Sequence, residues 1–213
     1  MDVLGRIKQL PVRNTATIRR LRRQISKELA MADRAEVLKL AYQLVESGDP
    51  NGRWVAYEFV RDHPASMATI TVMEVERLGH GIRSWDAVDC FACFVAGRAW
   101  RTGRISDARI HSWARSEDRW WRRAALVSTV PLNVRAQGGE GDAPRTLAMC
   151  ERLLDDRDEM VVKALSWALR ALSVRDAKAV KKFVEQHEER LAPLVKREVR
   201  NKLGTGLKNP KRS

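Results

Sequence analysis

The sequence predicts an all-α chain folded as an α-solenoid of antiparallel helix pairs, and three observations lead there. Apolar residues recur at three- and four-residue spacing along the chain, period-two alternation is nearly absent, and acid-led helix starts repeat forty residues apart. A length of 213 residues suffices for one continuous helical unit and leaves little room for two independent domains. The reading is a single repeat domain over 1–204 followed by a basic, flexible tail over 205–213.

Taken in order, a helix over 15–30 carries the cation run Arg19-Arg20-Leu21-Arg22-Arg23. A second, over 34–47, follows the capping residue Asp33 and puts Val37, Leu38, Ala41, Leu44 and Val45 on one face. The breaks Ser47-Gly48-Asp49-Pro50, His63-Pro64 and Gly79-His80-Gly81 separate helices at 51–62, 66–78 and 84–100. Further helices follow at 105–116, 119–130, 143–155, 159–173, 176–190 and 193–203. The stretch from Pro131 to Asp142, with Gly138, Gly139 and Gly141, reads as a flexible loop between helices and not as a domain boundary.

Asp118-Arg119-Trp120-Trp121-Arg122-Arg123-Ala124-Ala125-Leu126 is echoed by Asp158-Glu159-Met160-Val161-Val162-Lys163-Ala164-Leu165, and more weakly by Asp49-Pro50-Asn51-Gly52-Arg53-Trp54-Val55-Ala56. In each copy an acidic residue opens a helix, where a carboxylate caps orphan N–H groups and meets the positive dipole end. A forty-residue shift suits HEAT-type helix pairs, whose stacking lines equivalent positions along one curved face. Basic residues on that face would make a concave groove sized for a duplex. A generic helical bundle is the alternative that the same periodicity allows.

Lys and Arg number 40 against 27 Asp and Glu, a net charge of +13, which a neutral small-molecule enzyme does not need. A polyanion fits such a surplus, with nucleic acid ahead of anionic membrane and of a basic surface serving only solubility. No apolar run reaches the roughly 20 residues of a membrane span, and the first residues lack a secretory apolar stretch, so a cytoplasmic protein, nucleoid-associated if bacterial, is expected. Three cysteines, an odd count, argue against a disulfide framework. Cys90 and Cys93 have no second ligand pair, so they read as small core residues and not as a zinc or redox site. His63, His80, His111 and His187 show no metal spacing, and Trp54, Trp100, Trp113, Trp120 and Trp121 are most economically packing residues.

Trp85 and Asp89 lie four apart within Ser84-Trp85-Asp86-Ala87-Val88-Asp89, which puts an aromatic plane and a carboxylate on one helix face. Alone, this pair fits a core anchor beside a solvated charge as readily as a site. Four ordered segments are more specific. The segment 84–89, Trp121-Arg122-Arg123-Ala124-Ala125-Leu126, Lys163-Ala164-Leu165-Ser166-Trp167-Ala168-Leu169-Arg170, and Leu194-Val195-Lys196-Arg197-Glu198-Val199-Arg200-Asn201-Lys202-Leu203 together resemble the AlkD-type DNA alkylation repair glycosylases from about Asn14 onward.

The resemblance implies a HEAT-like solenoid cradling double-stranded DNA, with Asp89 as the catalytic carboxylate, Trp85 and Trp167 against the deoxyribose, and Arg123 holding backbone phosphate. It implies excision of N3- and N7-alkylated purines without base flipping into a pocket, without metal and without cofactor. Arg122, Lys163, Arg170, Arg19, Arg20, Lys196, Arg197 and Arg200 are the expected DNA contacts, although the run at Arg19 reads equally as a solvated face. A monomer with no obligate protein partner is expected. The family usually carries a further helical segment before the region matching Thr15-Ala16-Thr17-Ile18-Arg19, and about 14 residues stand there in this sequence, which bears on substrate range.

The chemistry suits those residue types. A cationic alkylpurine departs without a general acid, so one carboxylate suffices where ordinary glycoside hydrolysis uses two. A preplaced anion favours the oxocarbenium-like sugar more than the ground state. Two rivals remain: a non-enzymatic repeat protein recognising damaged or structured DNA, and a protein-binding scaffold that leaves the cation surplus without a purpose.

Overall fold

A computed structural model describes residues 1–210, which form helices and connecting turns with no strand among them. The chain divides into two compact units, Met1–Val95 and Ala96–Ser213.

The first unit contains α1 (Val3–Lys8), α2 (Thr15–Glu28), α3 (Arg34–Glu46), α4 (Pro50–Asp62), α5 (Pro64–Thr69), α6 (Val72–Gly79) and α7 (Trp85–Phe91). Helix α4 is its centre, packing against α1, α2, α3, α5 and α7. The sequence prepares it for that place: Asp49 caps the Gly52 N–H, Pro50 fills the first turn, and Val55, Ala56, Tyr57, Phe59 and Val60 are buried. Burial of each such large side chain contributes about 1.5–3 kcal/mol. Tyr57 keeps its hydroxyl satisfied by donating to the Leu78 carbonyl at 3.1 Å and accepting from Arg53 Nη1 at 3.0 Å. Burial pushes its phenol up to about 12.

Two short elements escape hydrophobic periodicity. Helix α1 has six residues, with Asp2 accepting from the Gly5 N–H and only Val3 and Ile7 buried, too few to register a period. The expected helix over 66–78 is broken into α5 and α6, because Thr71 starts a new helix with a capping box closed by Glu74.

The second unit contains α8 (Gly97–Arg101), α9 (Asp107–Trp113), α10 (Arg119–Val127), α11 (Val130–Asn133), α12 (Ala143–Arg152), α13 (Glu159–Ser173), α14 (Ala177–Gln186) and α15 (Pro193–Thr205). Here α13 is central and packs against α10, α11, α12, α14 and α15. Its fifteen residues bury nine side chains, from Val161 to Leu172. The repeated acidic starts are helix caps as expected: Asp118 accepts from the Trp120 N–H and Asp158 from the Met160 N–H.

The glycine-rich stretch after Pro131 is tied down and not a loose loop. It holds α11 and a 3₁₀ turn over Arg135–Gln137, Asn133 Oδ1 accepts from the Asp142 N–H at 3.0 Å, and Arg175 donates to the carbonyls of Asn133 and Gly139. Gly139 is required: a Cβ there would meet the Pro131 oxygen at 2.5 Å. Beyond α15 the chain turns back, with Lys208 Nζ 3.2 Å from Glu198 and its carbonyl accepting from Asn201 at 3.0 Å. The last residues of the expected tail, 211–213, lie outside the described residues.

Candidate nucleic-acid interface

In the first unit, α7 begins at Trp85, which is 58 % exposed although tryptophan is ordinarily buried. Asp89 is one turn on, on the same side of the helix, and half-buried. Val88 and Phe91 fix this rotation by facing the core, the Phe91 ring meeting that of Tyr57 on α4 at 5.7 Å and a 53° tilt. Immediately after α7 the chain makes a π turn over Ala92–Ala96, an irregularity that recurs at functional sites. The Cys90 thiol beside it is pushed up to about 12, chiefly by burial and then by the charges of Asp89 and Asp86, so it stays protonated at neutral pH. Cys93 and Cys150 are buried, as small core residues are.

Helix α4 packs against both α7 and α2, the helix with the cation run. Arg19 and Arg20 are exposed, and the Arg19 guanidinium lies 5.6 Å from the Trp54 ring centroid. Arg22, two residues on, is spent internally on Glu58 at 2.8 Å and Asp62 at 2.7 Å. The run thus divides into a packing arginine and solvated ones, as helical spacing requires.

In the second unit the remaining sequence-chosen residues fall on α10, α13 and α15, the last two of which pack together while α13 also packs on α10. Trp167 is half-buried on α13. Arg123 is only 5 % exposed, and its Nη1 donates to the Met160 carbonyl at 2.5 Å. Its neighbour Arg122 is engaged with Asp156 at 2.7 Å and with the carbonyls of Ser116 and Glu117. Lys163 pairs along the helix with Glu159 at 2.5 Å, and Arg200 with Glu188 at 2.5 Å.

Arg170 belongs to a buried network. Glu198 of α15, 4 % exposed, accepts from Ser166 Oγ at 2.7 Å and lies 3.7 Å from Arg170 Nε. Burial lowers the Arg170 pKa against the opposing pull of Glu198. The network flanks Trp167 in sequence and fixes α13 on α15. Among the described residues Arg19, Arg20 and Arg197 form no ion pair with a carboxylate, whereas the charge of Lys196 acts on Glu188.

Sequence reasoning did not separate the arginines held by internal partners from the solvated ones. The partners of Arg122 and Arg170 sit 34 and 28 positions away, beyond any local pattern. It also missed Arg101 and Arg145, which border a polar cavity beside the glycine-rich stretch.

A family model described as DNA alkylation repair enzyme matches residues 11–203, nearly the whole chain. The chain belongs to that family. No individual curated protein matches the sequence. Alkylation repair is therefore the class of activity, with DNA as the substrate. No helix of the described residues is long and apolar enough to cross a membrane.

Proposed function

We propose that the protein is a monofunctional DNA glycosylase that hydrolyses the N-glycosidic bond of cationic N3- and N7-alkylpurines in duplex DNA. The observation that carries this reading is the exposed Trp85 one helical turn from the half-buried carboxylate of Asp89. The exposure of Trp85 leaves the indole face open to a ligand, as a buried core anchor would not be.

In this reading Asp89 stands against the C1′ side of the damaged nucleotide, where its charge stabilises the oxocarbenium-like sugar and orients the attacking water. The face of Trp85 supports that positive charge by cation–π attraction, worth about 0.5–2 kcal/mol, and the family resemblance assigns Trp167 a contact with deoxyribose. Arg123 holds a backbone phosphate, and the exposed cations Arg19, Arg20 and Arg197, with the half-buried Lys196, supply salt-sensitive backbone affinity. In this reading no base need enter a pocket, because the leaving purine carries its own charge.

The test is release of 7-methylguanine or 3-methyladenine from duplex DNA by the parent and by Asp89→Asn. The expected result is release by the parent and a loss of a hundredfold or more in the variant, on the order of one electrostatic contact in an excluded site. Equal release by both overturns the mechanism, and release by neither, with duplex binding retained, favours a non-enzymatic binder of damaged DNA.

A further inference from the structure

The polar cavity of the second unit has a volume of about 300 Å³ and is bordered by Arg101, Leu132, Gly138, Glu140, Asp142 and Arg145. At roughly 30 Å³ per water, that is room for a tetrahedral anion with its hydration. Arg101 closes α8, and its guanidinium lies against the left-handed Gly138, where a Cβ would come within 2.9 Å of Nη2. Its Nε is shut off from solvent and has no hydrogen-bond partner among the described residues. A shielded guanidinium nitrogen without an acceptor is costly, and such groups mark the place of an ion or ordered water.

The neighbouring charges do not neutralise Arg101. Asp142 is committed to α12, accepting from the Arg145 backbone N–H at 3.0 Å and from Arg145 Nε at 2.5 Å. Arg145 is locked in place by that pair, by donation to the Trp100 carbonyl at 3.2 Å, and by the Trp100 ring 5.3 Å from its guanidinium. Glu140 is a second carboxylate on the rim, exposed and able to compete for the guanidiniums. Both guanidiniums border the cavity, and guanidinium is the side chain whose planar donors suit phosphate oxygens.

We propose that this cavity is a phosphate-binding site, with Arg101 as the principal donor and Arg145 as the preset second one. The phosphate group comes either from a DNA backbone or from free phosphate. This proposal is independent of the glycosylase reading, because neither a lesion nor Asp89 takes part in it.

The experiment measures thermal unfolding of the full chain in inorganic phosphate against chloride at equal ionic strength, for the parent, Arg101→Gln and Glu140→Gln. Phosphate raises the Tm of the parent, the rise disappears in Arg101→Gln, and it grows in Glu140→Gln because a competing carboxylate has gone. Should Arg101→Gln fold poorly, the parent and Glu140→Gln, altered only on an exposed rim, still decide. Equal phosphate shifts in the parent and both variants, or none in the parent, overturn the site and leave a water-filled cavity. Affinity for undamaged duplex separates the sources: a weaker Arg101→Gln with a salt slope reduced by about one contact assigns the phosphate to DNA, and unchanged duplex binding assigns it to the free ion.

Discussion

Arg123 Nη1 donates to the main-chain carbonyl of Met160 at 2.5 Å, so the arginine chosen from the sequence as a phosphate holder also fastens α10 to the first turn of α13. The bond runs from one acid-capped helix to the next, between Asp118-led and Asp158-led starts that the sequence repeats. Whatever Arg123 does for DNA, it does from a buried stem whose direction is set by packing.

Arg123→Ala is therefore expected to lower stability as well as function. Loss of a charged donor and its buried stem costs about 1.5–3 kcal/mol, visible as a drop in Tm or in the denaturation midpoint. If the guanidinium also meets phosphate, the slope of log affinity against log salt falls by about one contact. A lowered Tm with an unchanged slope would assign Arg123 to packing alone.

The caps give a second prediction. Asp158 accepts from the Met160 N–H at 2.8 Å and receives Arg119 at 3.5 Å, both at the start of the longest helix of the second unit. Asp158→Ala should cost about 0.5–2 kcal/mol, and Asp158→Asn most of a unit less, because asparagine caps as well as aspartate. Equal losses in both variants would mean that the carboxylate charge matters more than the cap.

Those caps show what was legible in the sequence. Asp49, Asp118 and Asp158 each precede a hydrophobic period of 3.6, and local chemistry of that kind needs no tertiary partner to be recognised. The all-helical class and the places of α2, α3, α4, α10, α13 and α15 followed from it. The π turn at Ala92–Ala96 left no local signal, since Ala-Cys-Phe-Val-Ala continues a helix by composition. Nor did the ordering of the glycine-rich stretch, which depends on Arg175 reaching back over 42 and 36 positions to Asn133 and Gly139. At the interface, Trp85 and Asp89 were legible as an i, i+4 pair, whereas the commitment of Arg122 to Asp156 depended on the assembled core.

Acid should probe the start of α6. Burial alone would raise the Glu74 pKa, but hydrogen bonds from Thr71 and the ion pair with Arg34 outweigh it and hold the carboxyl below its ordinary 4.5. A carboxylate with a lower pKa folded than unfolded contributes stability above the unfolded value and loses it as pH falls through the folded one. Glu74→Gln should thus be about 1 kcal/mol less stable than the parent near neutral pH. The gap should close as acid titrates the parent below 4.5. A gap that persists at low pH would assign the loss to side-chain shape and not to charge.

Trp85 offers a separation of function from folding. With 58 % of its surface exposed at the first position of α7, it leaves little packing to lose, so Trp85→Ala should change stability by no more than about 0.5 kcal/mol. If its face supports a cationic sugar, excision of a cationic alkylpurine should slow by about two- to thirtyfold, the rate equivalent of a 0.5–2 kcal/mol cation–π contact. Trp85→Phe should recover part of that, since a smaller aromatic face keeps some of the attraction. Single-turnover base release beside thermal unfolding of the same three proteins reads both quantities. A Trp85→Ala protein that excises at the parent rate would remove the indole from the site, and one that loses Tm in proportion to activity would make it a structural residue despite its exposure.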